Sequence, residues 1–237
     1  MNNTTENYEQ YFKTEDKNDM VQEIEINYNN LYKIIMIGDS GVGKTSLLTK
    51  YLTNSFPRNP FPTIASEFAT KIVQMKDGGY VKAQIWDTTG QEKYKSLTSH
   101  HYRKCLGAIL VYDITSRSSF ANIVNWLKDV KELADKNCII VLVGNKLDLV
   151  DSFSNKREVT KEEGEVFAYL NKLSFYETSA FNKENVNEIF EDLVENIYND
   201  RRRMLQTRKS EIGNSLILSA KTNNMRFCNP NHTVCDC

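Results

Sequence analysis

The sequence has little net charge, because 30 lysine and arginine residues nearly balance 31 aspartate and glutamate residues among 237. Binding of nucleic acid through bulk charge is therefore not indicated. The sequence also lacks an apolar run long enough to span a bilayer. Residues 1–30 have neither a basic start nor an apolar centre. We therefore expect no signal peptide, and their polar, acidic composition predicts a flexible extension.

Cysteine is scarce, with five residues. Cys105 and Cys138 lie in apolar stretches, which predicts buried, reduced thiols. The other three, Cys228, Cys235 and Cys237, lie close to the end of the chain, which finishes as Cys-Asp-Cys. A metal or disulfide role for these three stays open, although their spacing matches no zinc motif.

One motif is complete. Residues 38–45, Gly-Asp-Ser-Gly-Val-Gly-Lys-Thr, match the phosphate-binding loop G-x-x-x-x-G-K-[ST]. Glycine lets the backbone come close to an anion, and the N–H groups at the start of the following helix then point at the phosphates. Lys44 is expected to bind the β- and γ-phosphates and Thr45 to bind Mg²⁺. A buried strand over residues 31–37 and an amphipathic helix over residues 46–52 place this loop in the expected context.

Proline is scarcer than cysteine, and three of the four prolines lie within residues 57–62. They exclude a regular element there and predict a loop that reaches Thr63, whose hydroxyl can close over the γ-phosphate and Mg²⁺. Further along, a predicted strand ends at Asp87, a favourable place for a metal ligand. Gly90 can approach the γ-phosphate through its N–H, and the Gln91 carboxamide can orient an attacking water.

A second motif, Asn-Lys-Leu-Asp at residues 145–148, follows a buried apolar strand. Guanine presents N1–H and the N2 amino group side by side, and the Asp148 carboxylate can accept from both. Lys146 can lay its stem over the base, Asn145 can join neighbouring loops, and the backbone of Ser179–Ala180 can donate to O6 of guanine. Together these motifs favour a GTP site, with an ATP-using kinase or ATPase as the alternative.

Strands and helices alternate along the chain, which predicts a doubly wound α/β fold. Asp-Gly-Gly at residues 77–79 joins strand-like runs at 68–75 and 80–86 and indicates a hairpin. Thr160 and Glu163 form a predicted capping box. The expected sheet is six-stranded and mainly parallel, with one antiparallel edge strand.

Three regions are expected: a flexible extension over residues 1–30, a GTP-binding domain over 31–200, and a flexible tail over 201–237. The arginines at 201–203 indicate either a mildly basic tether or a solvated helix end.

These motifs resemble the Rab family of small GTPases over roughly residues 30–200. GDSGVGKT, WDTTGQE, GNKLD and ETSA occur in the family's order and at similar separations. The resemblance implies the P-loop small GTPase fold and a molecular switch that hydrolyses GTP, slowly without an activating protein. It also implies effector recruitment in vesicle trafficking. EFAT, KAQIWDT and LSFYETSA are most similar to the recycling-endosome branch.

The resemblance implies a role for each matching position. The expected GTP-binding residues are Ser40, Gly41, Val42, Gly43, Lys44, Thr45, Ser46, Phe56, Thr63, Gly90, Asn145, Lys146, Asp148, Ser179, Ala180 and Phe181. The expected catalytic residues are Lys44 and Gln91. The expected Mg²⁺ ligands are Thr45, Thr63 and Asp87. The expected effector-facing residues are Ile64, Phe68, Trp86 and His101. The expected geranylgeranylated residues are Cys235 and Cys237, since two lipid chains anchor stably where one does not.

The implied partners are an exchange factor, a GTPase-activating protein, a GDP dissociation inhibitor, an escort protein and effectors, with no nucleic acid. The implied location is the cytoplasmic face of endosomal or Golgi-derived vesicles, in exchange with the cytosol.

The chain departs from the family pattern at several positions. Thr89 stands where alanine is usual beside Gln91. Other departures are Ala65, Ser66, His101, Lys104, Cys105 and Phe181. A second hypothesis is therefore a nucleotide-loaded binding module in which Thr89 disturbs Gln91 and hydrolysis is very slow.

Overall fold

The structure is a computed structural model that describes residues 30–56, 67–88, 101–150 and 156–224, with side chains of the last helix described as far as residue 207. The strands within these residues are β1 (Asn30–Ile37), β2 (Glu67–Gln74), β3 (Tyr80–Asp87), β4 (Gly107–Asp113), β5 (Ile139–Asn145) and β6 (Ser174–Glu177). The helices are α1 (Lys44–Thr53), α2 (Arg117–Leu133), α3 (Lys161–Asn171) and α4 (Val186–Asn224).

The six strands form one sheet in the order β2-β3-β1-β4-β5-β6. β2 pairs antiparallel with β3, and the other neighbours pair in parallel. The hairpin turn that joins β2 to β3 includes Gly78 at φ +87°, and the Gly79 N–H donates to the Asp77 carboxylate at 3.2 Å. The predicted sheet and its antiparallel edge strand are confirmed.

Helices cover both faces of the sheet. On one face, α1 and α4 contribute Leu47 and Phe190 to a buried apolar cluster. On the other, α2 and α3 contribute Ile123 and Ala168 to a second cluster. Strands covered on both faces are apolar on both, and all seven residues of β4 are buried. The doubly wound arrangement is therefore confirmed.

The strand order places five chain segments at one edge of the sheet. β1, β3, β4, β5 and β6 are parallel, so their carboxyl ends meet there. Those ends lead into the phosphate loop after Ile37, into Thr88 after Asp87, and into loops after Asp113, Asn145 and Glu177. In open α/β sheets ligands bind outside these ends, where the strand order reverses.

Capping residues fix where two of the helices begin. α2 begins at Arg117, because the Ser116 hydroxyl accepts from the Ser119 N–H and caps the helix. The capping box of Thr160 and Glu163 is confirmed at the start of α3.

One burial prediction was only half right. Cys105 is fully buried, but Cys138 is half-buried, because it precedes β5 in a turn where cover is incomplete.

The last helix continues through the boundary expected at residue 201. Arg202 pairs with Asp77 of the β2–β3 turn, and the Tyr198 hydroxyl donates to the same carboxylate at 2.8 Å. Arg201 lies 3.7 Å from Asp135. These arginines are therefore neither a flexible tether nor a helix end: they lie within α4, and Arg201 and Arg202 contact the body of the domain.

Among the described residues, no helix combines the length and the apolar character needed to cross a membrane.

Gly164 of α3 provides a test of the packing between α3 and the sheet. A Cβ there would lie 2.6 Å from the Phe175 ring and 2.7 Å from the Tyr112 hydroxyl. Alanine normally stabilises a helix by about 1 kcal/mol relative to glycine. Overpacking costs roughly 1–3 kcal/mol, so we expect Gly164→Ala to lower the free energy of unfolding by about 1 kcal/mol in urea titrations at fixed GDP.

Val166→Ala is the control, because Val166 is an exposed residue of the same helix. It should change stability by no more than about 0.5 kcal/mol. A more stable Gly164→Ala variant would show that helix propensity outweighs the packing.

Candidate nucleotide site

The loop between β1 and α1 depends on glycine at three positions. Gly38, Gly41 and Gly43 have φ angles of +143°, +79° and +101°. A Cβ on Gly38 would lie 2.1 Å from the carbonyl oxygen of Val111, and one on Gly43 would lie 2.3 Å from Asn145 Nδ2. The loop is therefore folded tightly against β4 and β5, with its backbone free of side chains where an anion would lie.

Lys44 lies buried at the start of α1. Its ammonium donates to the carbonyl oxygens of Gly38 and Asp39, both at 2.8 Å. Burial lowers the pKa of Lys44 to about 8, although the negative charges of Asp87 and Asp39 oppose this change. The two bonds use two of the three ammonium donors and aim the charge into the loop, as binding of a phosphate requires.

Thr45 and Asp87 meet across the edge of the sheet. The Thr45 hydroxyl donates to Asp87 Oδ2 at 2.5 Å, and Asp87 is buried at the end of β3. The next residue, Thr88, donates its hydroxyl to the Met36 carbonyl at 2.8 Å and so fixes this strand end against β1. A hydroxyl and a carboxylate at one place are oxygen ligands of the kind that Mg²⁺ prefers, so the predicted metal ligands Thr45 and Asp87 fit that ion.

Asn145 joins three loops through its side-chain amide. Its Nδ2 donates to the Val42 carbonyl of the phosphate loop at 2.9 Å. Its Oδ1 accepts from the Thr178 hydroxyl at 3.2 Å and from the Ala180 N–H at 3.4 Å, both in the loop after β6. As expected from the sequence, Asn145 therefore connects the phosphate loop to the loop after β6.

Asp148 and Lys146 are each held by a specific partner. The Ser179 hydroxyl donates to Asp148 Oδ1 at 2.6 Å and accepts from the Asn182 N–H at 3.0 Å. Lys146 has a φ of +73°, and its ammonium lies 2.6 Å from a carboxylate oxygen of Asp113. These contacts bring the loops after β5 and β6 into one small region beside the phosphate loop.

Two predicted aromatic contacts also lie together. The rings of Phe56 and Phe181 meet edge to face at 5.5 Å, and both side chains are exposed. Phe56 follows α1, and Phe181 follows Ala180 in the loop after β6. The two rings therefore lie at the loop after β6, which also contains Ser179, the residue that bonds to Asp148.

A separate aromatic row lies on the edge hairpin. Phe68 packs on Trp86 with ring centroids 4.9 Å apart, and Trp86 packs on His101 at 5.2 Å. Phe68 is 54% exposed, which makes the row available for contact. Three of the four predicted effector-facing residues are thus neighbours.

Several predicted positions lie outside the described residues. They are Thr63, Ile64, Thr89, Gly90, Gln91, Cys228, Cys235 and Cys237.

Sequence reasoning missed three kinds of contact residue. Thr178 bonds to Asn145, and Asp113 bonds to Lys146. Asp113 ends β4 as Asp87 ends β3, so an acidic residue at a strand end was an available signal. The Asp39 carboxylate accepts from Trp126 at 2.8 Å, a contact between residues 87 positions apart that had no signal in the local pattern.

The lowered pKa of Lys44 predicts proton uptake when phosphate binds. At pH 8.5 about three quarters of the lysine is neutral in the nucleotide-free protein, and a phosphate favours its charged form. Binding of Mg²⁺–GDP should then take up about 0.7 proton at pH 8.5 and almost none at pH 7, and affinity should fall as pH rises above 8. Calorimetry in buffers of different ionisation enthalpy measures this uptake.

Lys44→Arg is the matched control, because arginine stays charged throughout this range. Equal proton uptake in the two proteins at pH 8.5 would rule out Lys44 as its source.

The chain is similar in sequence to several known proteins. A family model described as the Ras family matches residues 33–199. The chain is 43% identical to Ras-related protein RABA2d of Arabidopsis thaliana, over 84% of this chain and 89% of that protein. It is 46% identical to GTP-binding protein ypt3 of Schizosaccharomyces pombe, over 82% of this chain and 86% of the relative. It is also 46% identical to Ras-related protein Rab-11C of Dictyostelium discoideum, over 76% of this chain and 77% of the relative. With a phosphate loop, a base-recognition loop and these relatives, the chain belongs to the Ras family and, within it, to the Rab small GTPases of the Rab11 and RabA type, which are GTP-hydrolysing switches of vesicle trafficking.

Proposed function

We propose that guanine nucleotide binds along the edge formed by the phosphate loop and the loops after β5 and β6, together with Mg²⁺. The proposed phosphate contacts are Ser40, Gly41, Val42, Gly43, Lys44, Thr45 and Ser46. Thr45, Thr63 and Asp87 would hold the metal, which would supply positive charge opposite the phosphate oxygens. Gln91 orients the attacking water, and Lys44 stabilises the charge of the transferred phosphoryl group.

The single observation that best supports this proposal is the bonding of Asn145. One amide group contacts the phosphate loop through Val42 and the base loop through Ala180. Two motifs that are about a hundred residues apart in the chain thereby act on one ligand. A phosphate loop without this connection would fit a kinase or ATPase equally well.

Base selectivity depends on Asp148. Its carboxylate is oriented by the Ser179 hydroxyl, and a fixed carboxylate can accept from both donors of guanine. Adenine lacks this pair of donors. The exposed rings of Phe56 and Phe181 supply apolar surface for the base and ribose.

The switch acts through the segments that flank β2 and β3. The segments around Thr63 and Gly90 would be held in one state when GTP and Mg²⁺ are bound, and hydrolysis would release them. Phe68, Trp86 and His101 give effectors an aromatic surface on the adjoining hairpin. An exchange factor and an activating protein set the balance between the two states, and a GDP dissociation inhibitor and an escort protein handle the lipidated chain.

The membrane anchor in this proposal is lipid on Cys235 and Cys237, with endosomal or Golgi-derived vesicles as the compartment. Two chains are needed because one prenyl or acyl chain binds a bilayer only marginally. The similarity to RABA2d and Rab-11C supports membrane-associated trafficking in general.

Asp148→Asn tests base recognition. The amide replaces one acceptor by a donor, which suits the 2-oxo group of xanthine better than the amino group of guanine. We expect GDP affinity to fall roughly 100-fold and xanthosine diphosphate affinity to rise relative to it, measured by competition against a fluorescent nucleotide.

Ser179→Ala is the control for this experiment, since it removes the hydroxyl that orients the carboxylate but keeps the charge. It should weaken nucleotide binding without a change of base preference. An Asp148→Asn protein that still prefers guanine strongly would remove Asp148 from the site.

Gln91→Leu tests the hydrolytic step. It should leave GTP affinity nearly unchanged and slow single-turnover phosphate release at least about tenfold, because the amide acts on water and not on bound GTP. If Thr89 disables Gln91, the parent protein is a slow binding module, Gln91→Leu has little effect, and Thr89→Ala speeds hydrolysis. If the unmutated protein hydrolyses GTP at a normal intrinsic rate and Thr89→Ala leaves that rate unaltered, the hypothesis of a slow binding module is rejected.

A further inference from the structure

Asp39 is the second residue of the phosphate loop, and its carboxylate contacts α2. Its Oδ2 accepts from Asn122 Nδ2 at 2.7 Å, and its Oδ1 accepts from Trp126 Nε1 at 2.8 Å. The two donors lie four residues apart on α2 and therefore on one face of the helix. Both carboxylate oxygens are thus fixed by a helix that follows β4 and has no part in the phosphate motif.

The indole ring of Trp126, one of the two donors, is packed in the protein interior. Trp126 is only 7% exposed and belongs to the apolar cluster with Ile123 and Leu127 under α2. Its N–H is therefore presented from a packed ring, with little freedom to follow a moving loop. The bond to a carboxylate is charge-assisted, which makes it stronger than a neutral bond.

The main chain of the same residue contacts Lys44. The carbonyl oxygen of Asp39 accepts from the lysine ammonium at 2.8 Å, next to the equivalent bond to Gly38. A displacement of Asp39 would move the ammonium or leave it without one of its acceptors. Asp39 therefore connects α2 to Lys44: its side-chain carboxylate contacts the helix, and its main-chain carbonyl contacts the buried ammonium.

We propose that Asp39, held by Trp126 and Asn122, is a positioning residue that keeps Lys44 on the nucleotide phosphates and thereby slows nucleotide release. This inference rests on the proposed function, since it takes Lys44 as a phosphate ligand. Asp39 touches no reacting atom and acts through the lysine. Loosening it should speed dissociation of GDP and leave base preference unchanged, because the base loop bonds through Asn145 and Ser179 instead.

The test is the dissociation rate of a fluorescent GDP analogue from the full chain in Mg²⁺ with excess GDP. Trp126→Phe keeps an aromatic ring and removes only the N–H donor. We expect it to speed release about tenfold, the effect of one lost bond to a charged group. Val124→Ala is the matched control, because Val124 is an exposed residue on the same helix, and it should leave the rate at the wild-type value.

A double-mutant cycle separates positioning from a general loss of packing. Asp39→Ala should speed release at least as much as Trp126→Phe, and adding Trp126→Phe to it should change nothing further. Asp39→Asn should restore slow release in large part, because an amide oxygen can still accept from Trp126 and the Asn122 amide can reverse to match the new donor.

The outcomes are distinct. Two results would overturn the inference, provided that the wild-type protein binds GDP. In the first, Trp126→Phe releases GDP no faster than Val124→Ala. In the second, Trp126→Phe speeds release equally in the wild-type and Asp39→Ala backgrounds. Wild-type protein that binds no guanine nucleotide would instead overturn the proposed function.

Discussion

The side-chain amide of Asn145 is the contact on which the rest of the site depends. It is buried, and it bonds to the phosphate loop on one side and to the loop after β6 on the other. Its Nδ2 also lies only 2.3 Å from the position that a Cβ on Gly43 would occupy. The tight phosphate loop and the loop that holds Asp148 thus share one support, which suits the proposed binding of phosphate and base as parts of one ligand.

The electrostatics of the site follow from its burial. Lys44 lies out of water at the edge of the sheet, and removal from water disfavours its charge. Asp87 and Asp39 offset part of that cost from two sides. Each of these carboxylates is itself held, Asp87 by the Thr45 hydroxyl and Asp39 by α2. A cation kept charged in this way gains much from a phosphate, which gives the loop its affinity for a polyanion.

Much of the fold could be predicted because its signals are local. Alternating apolar strands and helices, the Asp-Gly-Gly turn and the capping box at Thr160 each depend on residues within a few positions of one another. The end of the domain could not be predicted in this way. Arg202 has no local signal for its partner, since Asp77 lies 125 residues earlier in the β2–β3 turn. Neither the tether nor the helix end that the sequence indicated is found, because α4 continues past those arginines and Arg202 bonds to that distant carboxylate.

The sequence by itself determined the chemical identity of the site. Residues 38–45 and 145–148 contain the glycines, the lysine and the carboxylate that we propose bind phosphate and guanine. These motifs are recognisable because their geometry is set by adjacent backbone. Only the tertiary structure decided how they cooperate. Gly38 faces the carbonyl of Val111, and Asp39 accepts from Trp126, because the parallel sheet brings β1 beside β4 and α2 packs next to them. Such contacts join residues far apart in the chain, and no local periodicity encodes them.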